Sequence, residues 1–206
     1  LEKIKNDQLQ TELKFLKSQY HPHFLFNALN TVYFQIDESN KAPRRTLEMI
    51  SELLRYQLYG GNQKVSILQE IDYLKTYIAL RKLRMSERLR LRVEFPPELN
   101  ELNIYPLLFL PLVENAFKYV GGDYQLDIIM KWENNRISLF IRNSIPELSA
   151  EDEALRKSVD ERQRKGIGLV NLRRRLSLLY PNKHRLETRK EETEFVAELM
   201  IEIEEI

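Results

Sequence analysis

Several short stretches combine residue types and spacings that could do chemistry. Gly166-Ile167-Gly168 opens a helical pattern; glycines let backbone N–H groups approach a phosphate, and a helix N-terminus favours negative charge. The same pair of glycines equally serves a plain loop-to-helix corner. Glu114, Asn115 and Lys118 lie in an otherwise apolar helical segment, with Asn115 and Lys118 at i and i+3 on one face. An amide or carboxylate oxygen there could ligate Mg²⁺ beside phosphates, and the ammonium could neutralise phosphate charge; the alternative is a helix end returning to solvent. Asn143 ends a strand whose Ile137, Leu139 and Ile141 face one way, and period 2 turns it inward with them. A buried amide needs partners, which a purine can supply, as can the following Ser144-Ile145-Pro146 turn.

The remaining stretch is His21-Pro22-His23, followed by Phe24-Leu25-Phe26-Asn27. Proline inside a helical pattern removes a backbone donor and presents what lies beside it. Histidines at i and i+2 point to different sides of a helix, a poor metal chelate. Imidazole is nonetheless a nucleophile able to accept phosphate near neutral pH, although a histidine beside an apolar stripe is also ordinary packing. With no acidic residue directly after His23, its general base is unassigned, and Asn27, one turn on, can only orient the ring.

The elements that must position these residues divide into two styles. Leu9, Leu13, Leu16 and Tyr20, then Leu47, Ile50, Leu54 and Leu58, then Ile67, Ile71, Leu74 and Ile78 follow helical spacing. Breaks fall at Asp37–Pro43 and Gly60–Lys64, and Ser66 with Gln69 has capping-box spacing. Such stripes need burial, which self-association of the helices would provide. After about residue 86 the period becomes 2: Leu89, Leu91, Val93 and Phe95 alternate with charged residues. A helix over 106–119, strands over 125–133 and 136–143 around Asn134-Asn135, a helix from Gly166 to Tyr180-Pro181, and strands over 184–189 and 194–203 complete the pattern. The expected fold class is α+β, a helical region over 1–86 followed by a sandwich over 87–206 with a mixed or antiparallel sheet on helices.

Composition excludes whole classes of function. The chain has 206 residues, 43% of them hydrophobic, with 32 Lys+Arg against 31 Asp+Glu and a net charge of +1. That balance gives no bulk drive toward nucleic acid. The absence of cysteine removes disulfides, Cys-ligated metals and thiol nucleophiles. The stretch 18–36 lacks charge but carries histidines, asparagines and Pro22, so it is no membrane span. The start in mid-pattern leads us to expect a fragment of a longer protein.

In order along the chain, these pieces resemble a known family. Leu16-Lys-Ser-Gln-Tyr-His-Pro-His-Phe-Leu-Phe-Asn-Ala-Leu-Asn30 is similar to the phosphoacceptor box of LytS-type sensor histidine kinases, Q-I-N-P-H-F-L-F-N-x-L-N. Leu54-Arg55-Tyr56, the Leu68/Glu70-to-Tyr77 helix ending in Leu83-Arg84, Pro111-Leu-Val-Glu-Asn-Ala-Phe-Lys118 as the N box, and Gly166-Ile-Gly-Leu-Val-Asn-Leu-Arg-Arg-Arg-Leu176 as the glycine-rich box extend the resemblance. It implies a helical dimerisation and phosphoacceptor region followed by a Bergerat-type ATP-binding α/β sandwich. By position, His23 and not His21 would be phosphorylated, Asn115 would ligate Mg²⁺ with Glu114 beside it, and Lys118 would contact phosphate. Gly166, Gly168 and Leu169 would border the nucleotide and its lid at 146–165.

Activity by this resemblance is transfer of the γ-phosphoryl of MgATP to His23 and then to an aspartate of a response regulator, of LytTR type, by a homodimer. Two departures stand out. The adenine-reading Asp of a D-x-G pattern is here Asn143-Ser144 with no glycine following, which keeps an acceptor oxygen and loses a charge. Tyr119 replaces a histidine often found after the N-box lysine. Rivals on the same fold are a non-catalytic pseudokinase dimer and an ATP hydrolase in which Glu114 polarises water.

Overall fold

The computed structural model describes residues 22–59, 63–97, 99, 102–146 and 167–203. The stripe Leu9–Tyr20, His21, Gly166 and most of the expected lid lie outside the described residues. By contacts the chain forms two compact units, 1–61 and 62–206. The change of period at residue 86 coincides with the change from helix to strand, whereas the units divide earlier, because the helix of residues 67–82 buries its apolar stripe within the second unit.

In the first unit α1 (Pro22–Gln35) and α2 (Lys41–Tyr59) pack side by side. The Asp37–Pro43 break is a capped turn: Asp37 Oδ1 accepts from Ser39 N (2.8 Å) and Ser39 Oγ (2.5 Å). These bonds hold the Asp37 carboxyl below its ordinary range. Arg44 Nε and Nη2 donate to Ile36 O at 3.1 and 2.9 Å, satisfying a carbonyl at the end of α1. Tyr33 Oη donates to Glu48 (3.0 Å) and Phe26 stacks on Tyr59, so the helices run antiparallel. Met49 and Leu53 are buried, while Phe24, Phe34 and Tyr59 stay exposed.

In the second unit β1 (Val65–Ser66) leads into α3 (Ile67–Lys82). The expected capping box forms, with Gln69 N donating to Ser66 Oγ (3.4 Å) and Ser66 N to Gln69 Oε1 (3.1 Å). Arg81 and Lys82 close the helix where its dipole favours cations. Ile67, Ile71, Leu74 and Ile78 are buried at the 3–4 spacing read from the sequence. The chain continues through β2 (Arg90–Glu94), β3 (Asn103–Ile104), α4 (Leu110–Tyr119), β4 (Gln125–Glu133), β5 (Arg136–Ser144), α5 (Ile167–Leu179), β6 (His184–Lys190) and β7 (Glu194–Glu202).

The sheet has five strands in the order β2-β4-β5-β7-β6, with β2 parallel to β4 and the other pairs antiparallel, so it is mixed. The β4–β5 hairpin turns at Asn134 and Asn135, both at positive φ (50° and 59°), as the primed turns of tight hairpins require. Leu126, Ile128 and Met130 of β4, Ile137, Leu139 and Ile141 of β5, and Ala197, Leu199 and Ile201 of β7 form the buried face. Removing each large aliphatic side chain from water contributes about 1.5–3 kcal/mol. Helices α4 and α5 cover this face, and α3 packs against α4. The result is the helical region followed by an α/β sandwich on a mixed sheet that the sequence led us to expect.

Candidate functional site

Helix α4 starts where Pro111 can enter without losing a needed hydrogen bond. Leu110, Leu112, Val113, Ala116 and Phe117 turn into the core, which leaves Glu114, Asn115 and Lys118 on the other side. Lys118 is exposed, its Nζ 5.0 Å from the centre of the Tyr119 ring, so the residue that departs from the family pattern flanks this lysine with a π face. Asn115 is half-buried beside it. Part of Glu114 faces solvent, yet desolvation raises its carboxyl above the ordinary range, against the opposing pull of Arg81. Burial, and then the nearby Glu114 charge, raise the Tyr77 phenol. Arg81 lies 5.7 Å from the Phe117 ring centre and its Nε is buried without a hydrogen-bond partner.

Asn143 is 1% exposed and lies in register with Leu126 and Phe195 on the inward face of β5. Its Nδ2 donates to Ser144 O at 3.2 Å, while Oδ1 is buried with no partner. The local turn therefore accounts for one end of the amide only. An orphaned buried acceptor costs about 1–3 kcal/mol and calls for an explanation. Ser144 ties this strand end to the segment after α4: its Oγ donates to Gly121 O (2.6 Å) and accepts from Gln125 N (2.9 Å), while Gly121 N donates to Ser144 O (3.0 Å). A Cβ on Gly121 would sit 2.8 Å from Pro146 Cδ, so only glycine fits that junction without a shift. On the opposite face of the sheet Arg142 donates through Nε and Nη2 to the buried Asp127 at 3.0 and 2.7 Å, holding the same strand end.

Gly168 lies in the first turn of α5, exposed, with nothing within 4 Å of where its Cβ would be. Packing within the described chain thus does not demand a glycine there. Leu169 is half-buried next to it. Because α4 contacts β5 and α5, the elements carrying Asn115, Lys118, Asn143, Gly168 and Leu169 meet in one unit. His23 and Asn27 belong to the other unit. There His23 is exposed, and Asn27 Nδ2 lies 3.1 Å from His23 Nδ1.

The donor set fits a magnesium nucleotide. No group of three or more His, Asp or Glu side chains able to hold a metal occurs among the described residues. Mg²⁺ that keeps its waters and sits between substrate phosphates needs only one or two protein oxygens, such as that of Asn115. The orphaned Asn143 oxygen matches a ligand that brings its own donor. Sequence reasoning missed the pairing of Arg81 with Tyr77, whose i,i+4 spacing on α3 puts them on one face, and the junction of Gly121 with Ser144, made only by the fold.

Comparison with known proteins places these features in context. The family model described as "Histidine kinase" matches residues 11–89. The sensor protein kinase HptS of Staphylococcus aureus is 29% identical over 180 residues, covering 85% of this chain and 35% of HptS, so the chain spans about a third of that relative. Among solved structures, the histidine kinase domain of the Erythrobacter litoralis EL346 blue-light activated histidine kinase is similar, with 13% identity, 96% of each chain covered and a TM-score of 0.49. Full-length ShkA, solved in complex with AMPPNP, is also similar at 13% identity over 88% of this chain and 44% of that one, with a TM-score of 0.45. In its ordered motifs, its histidine kinase match over residues 11–89 and its likeness to HptS, the chain is similar to sensor histidine kinases.

Proposed function

We propose that this chain is a kinase core that transfers the γ-phosphoryl group of MgATP to His23 and then to an aspartate of a response regulator. The observation that carries the nucleotide half of this reading is the buried Asn143 Oδ1 without a partner, at the end of a strand that α4 covers. An adenine amino group would donate to it. Asn115 would hold Mg²⁺, Lys118 would meet the phosphates, and the glycine box at Gly166 and Gly168 would let the chain pass close to them. Bound Mg²⁺ supplies charge neutralisation at the phosphates. Phosphoryl transfer depends mainly on such positioning and electrostatics, and little covalent work falls to the protein.

At the acceptor, a bond forms between His23 Nε2 and the γ-phosphorus, the bond from that phosphorus to the β-bridging oxygen breaks, and ADP leaves. For Nε2 to offer its lone pair, the ring proton must reside on Nδ1. Asn27 then accepts from Nδ1–H through its carbonyl oxygen; with the amide nitrogen turned to Nδ1, the proton sits on Nε2 instead. A half-turn of one amide thereby selects between a nucleophilic and a blocked ring. Once Nε2 is phosphorylated, the Nδ1 proton passes to water.

Exposed Phe24, Phe34 and Tyr59 support a homodimer built on the first unit. Segments outside this chain would provide sensing and membrane attachment; among the described residues no helix is long and apolar enough to cross a membrane. The raised Glu114 carboxyl favours one alternative, an ATP hydrolase in which Glu114 takes a proton from water.

Incubation of the chain with γ-labelled ATP and Mg²⁺ tests the reading. We expect label on the protein that is acid-labile and alkali-stable, is lost in His23→Ala and persists in His21→Ala. Free phosphate without phosphoprotein would point to the hydrolase. Stable label in His23→Ala would sink the acceptor assignment.

A further inference from the structure

The turn of residues 105–108, which leads into α4, is held almost entirely by side chains from elsewhere. Leu107 has φ of 57°, a left-handed conformation that a leucine adopts only when its surroundings impose it. Glu70 of α3 is 0% exposed, and its Oε2 and Oε1 accept from Leu107 N (2.9 Å) and Leu108 N (3.2 Å). Arg175 of α5 donates to Pro106 O from Nη2 (2.8 Å) and to Leu107 O from Nη1 (3.5 Å). Tyr180, just past α5, accepts from Tyr105 N through its hydroxyl at 3.2 Å. Proline at 106 has no N–H, so every backbone donor of this turn ends on a side chain from another element.

A fully buried carboxylate is costly unless well hydrogen-bonded, and a residue that could simply be apolar calls for a reason. The one the geometry offers is position. Asn115 and Lys118 lie on the rigid helix that this turn starts, and Gly168 lies on the helix that carries Arg175. A shift of about 1 Å at a reacting centre can cost a hundredfold.

We propose that Glu70 is a positioning residue of the nucleotide site: with Arg175 it clamps the 105–108 turn and so sets α4 and α5 relative to each other. This role rests on the reading that α4 and α5 hold the nucleotide. Glu70→Gln preserves shape but turns a donor toward one of the two N–H groups. Arg175→Lys keeps the charge and loses the fork that spans two carbonyls.

The test uses the whole chain and includes readouts that need no nucleotide. In Glu70→Gln, amide hydrogen exchange at Leu107 and Leu108 should accelerate at least about tenfold, while Leu139 and Leu199 in the sheet keep wild-type protection. The side-chain amide resonance of Asn115 should move, and the Kd for MgATP should rise about tenfold. Arg175→Lys should move all three the same way, and Glu202→Gln, at an exposed pair with Arg136 at the end of the β5–β7 ladder, should move none. If Glu70→Gln does not fold, Arg175→Lys carries the measurement. Wild-type exchange at Leu107 and Leu108, or protection lost evenly through the sheet with unchanged MgATP affinity, would overturn the clamp. A wild-type chain that fails to bind MgATP would instead overturn the site reading and this role with it, a result told apart because the exchange and resonance changes would persist.

Discussion

Replacement of Asn143 by alanine separates a ligand-facing amide from a structural one. In a structural role, deleting a buried and satisfied amide would cost the lost bonds and a cavity, several kcal/mol in all. Here Nδ2 makes a single bond to Ser144 O and Oδ1 makes none. The variant loses about 1 kcal/mol for that bond and about 1–2 kcal/mol for the smaller side chain, and it recovers about 1–3 kcal/mol by removing an unpaired buried acceptor. Stability without nucleotide should therefore fall between a loss of about 2 and a gain of about 1 kcal/mol. Affinity for MgATP should fall by about 1–3 kcal/mol, roughly five- to 150-fold, because the adenine amino group would then face no acceptor. Urea unfolding of the free protein and titration calorimetry with MgATP measure the two quantities separately. Asn143→Asp should do the reverse to the free protein: a carboxylate at a site only 1% exposed destabilises it, and nucleotide binding restores part of the loss. A free-protein loss above about 2 kcal/mol in Asn143→Ala, with MgATP affinity unchanged, would refute the reasoning.

Three other perturbations follow from the packing. Gly121→Ala forces a Cβ to within 2.8 Å of Pro146 Cδ and should cost about 1–3 kcal/mol; an unchanged Tm would show that the junction gives way freely. Burial raises the Tyr180 phenol, with the bond from Tyr105 N–H opposing it, so its neutral form supports the fold fully below the unfolded value of about 10 and loses that support as pH rises through the folded value. Stability should thus decline above about pH 10, and Tyr180→Phe should flatten the slope, leaving the same-signed part due to Tyr77; an unaltered slope in urea unfolding would count against this. Asn27→Ala should slow phosphoprotein formation about tenfold by freeing the His23 ring, with MgATP affinity unchanged, and a shift in Kd of similar size would mean that the residue acts elsewhere.

What could be read from the sequence is what local spacing determines. The capping box at Ser66 and Gln69, the hairpin turn at Asn134-Asn135 and the inward direction of Asn143 each depend on residues a few positions apart. The start of α4 does not. A helix from 106 satisfies the apolar pattern, yet the structure delays it to Leu110, because Leu107 turns left-handed where Glu70 collects its N–H. That contact joins residues 37 positions apart, beyond any window of periodicity. The two-residue pairing of β1 with β3 and the parallel pairing of β2 with β4 are illegible for the same reason. Likewise the helical period of α3 requires a buried face but does not say against what, so period alone could not place the limit of the compact unit at 61. The candidate site follows the same division. Asn115 and Lys118 could be matched by i,i+3 spacing, whereas the groups that hold their helix in place, Glu70, Arg175 and Ser144, reach it only through the fold. Residues that touch a ligand can be guessed from type and spacing; those that fix its geometry emerge only when the chain is closed on itself.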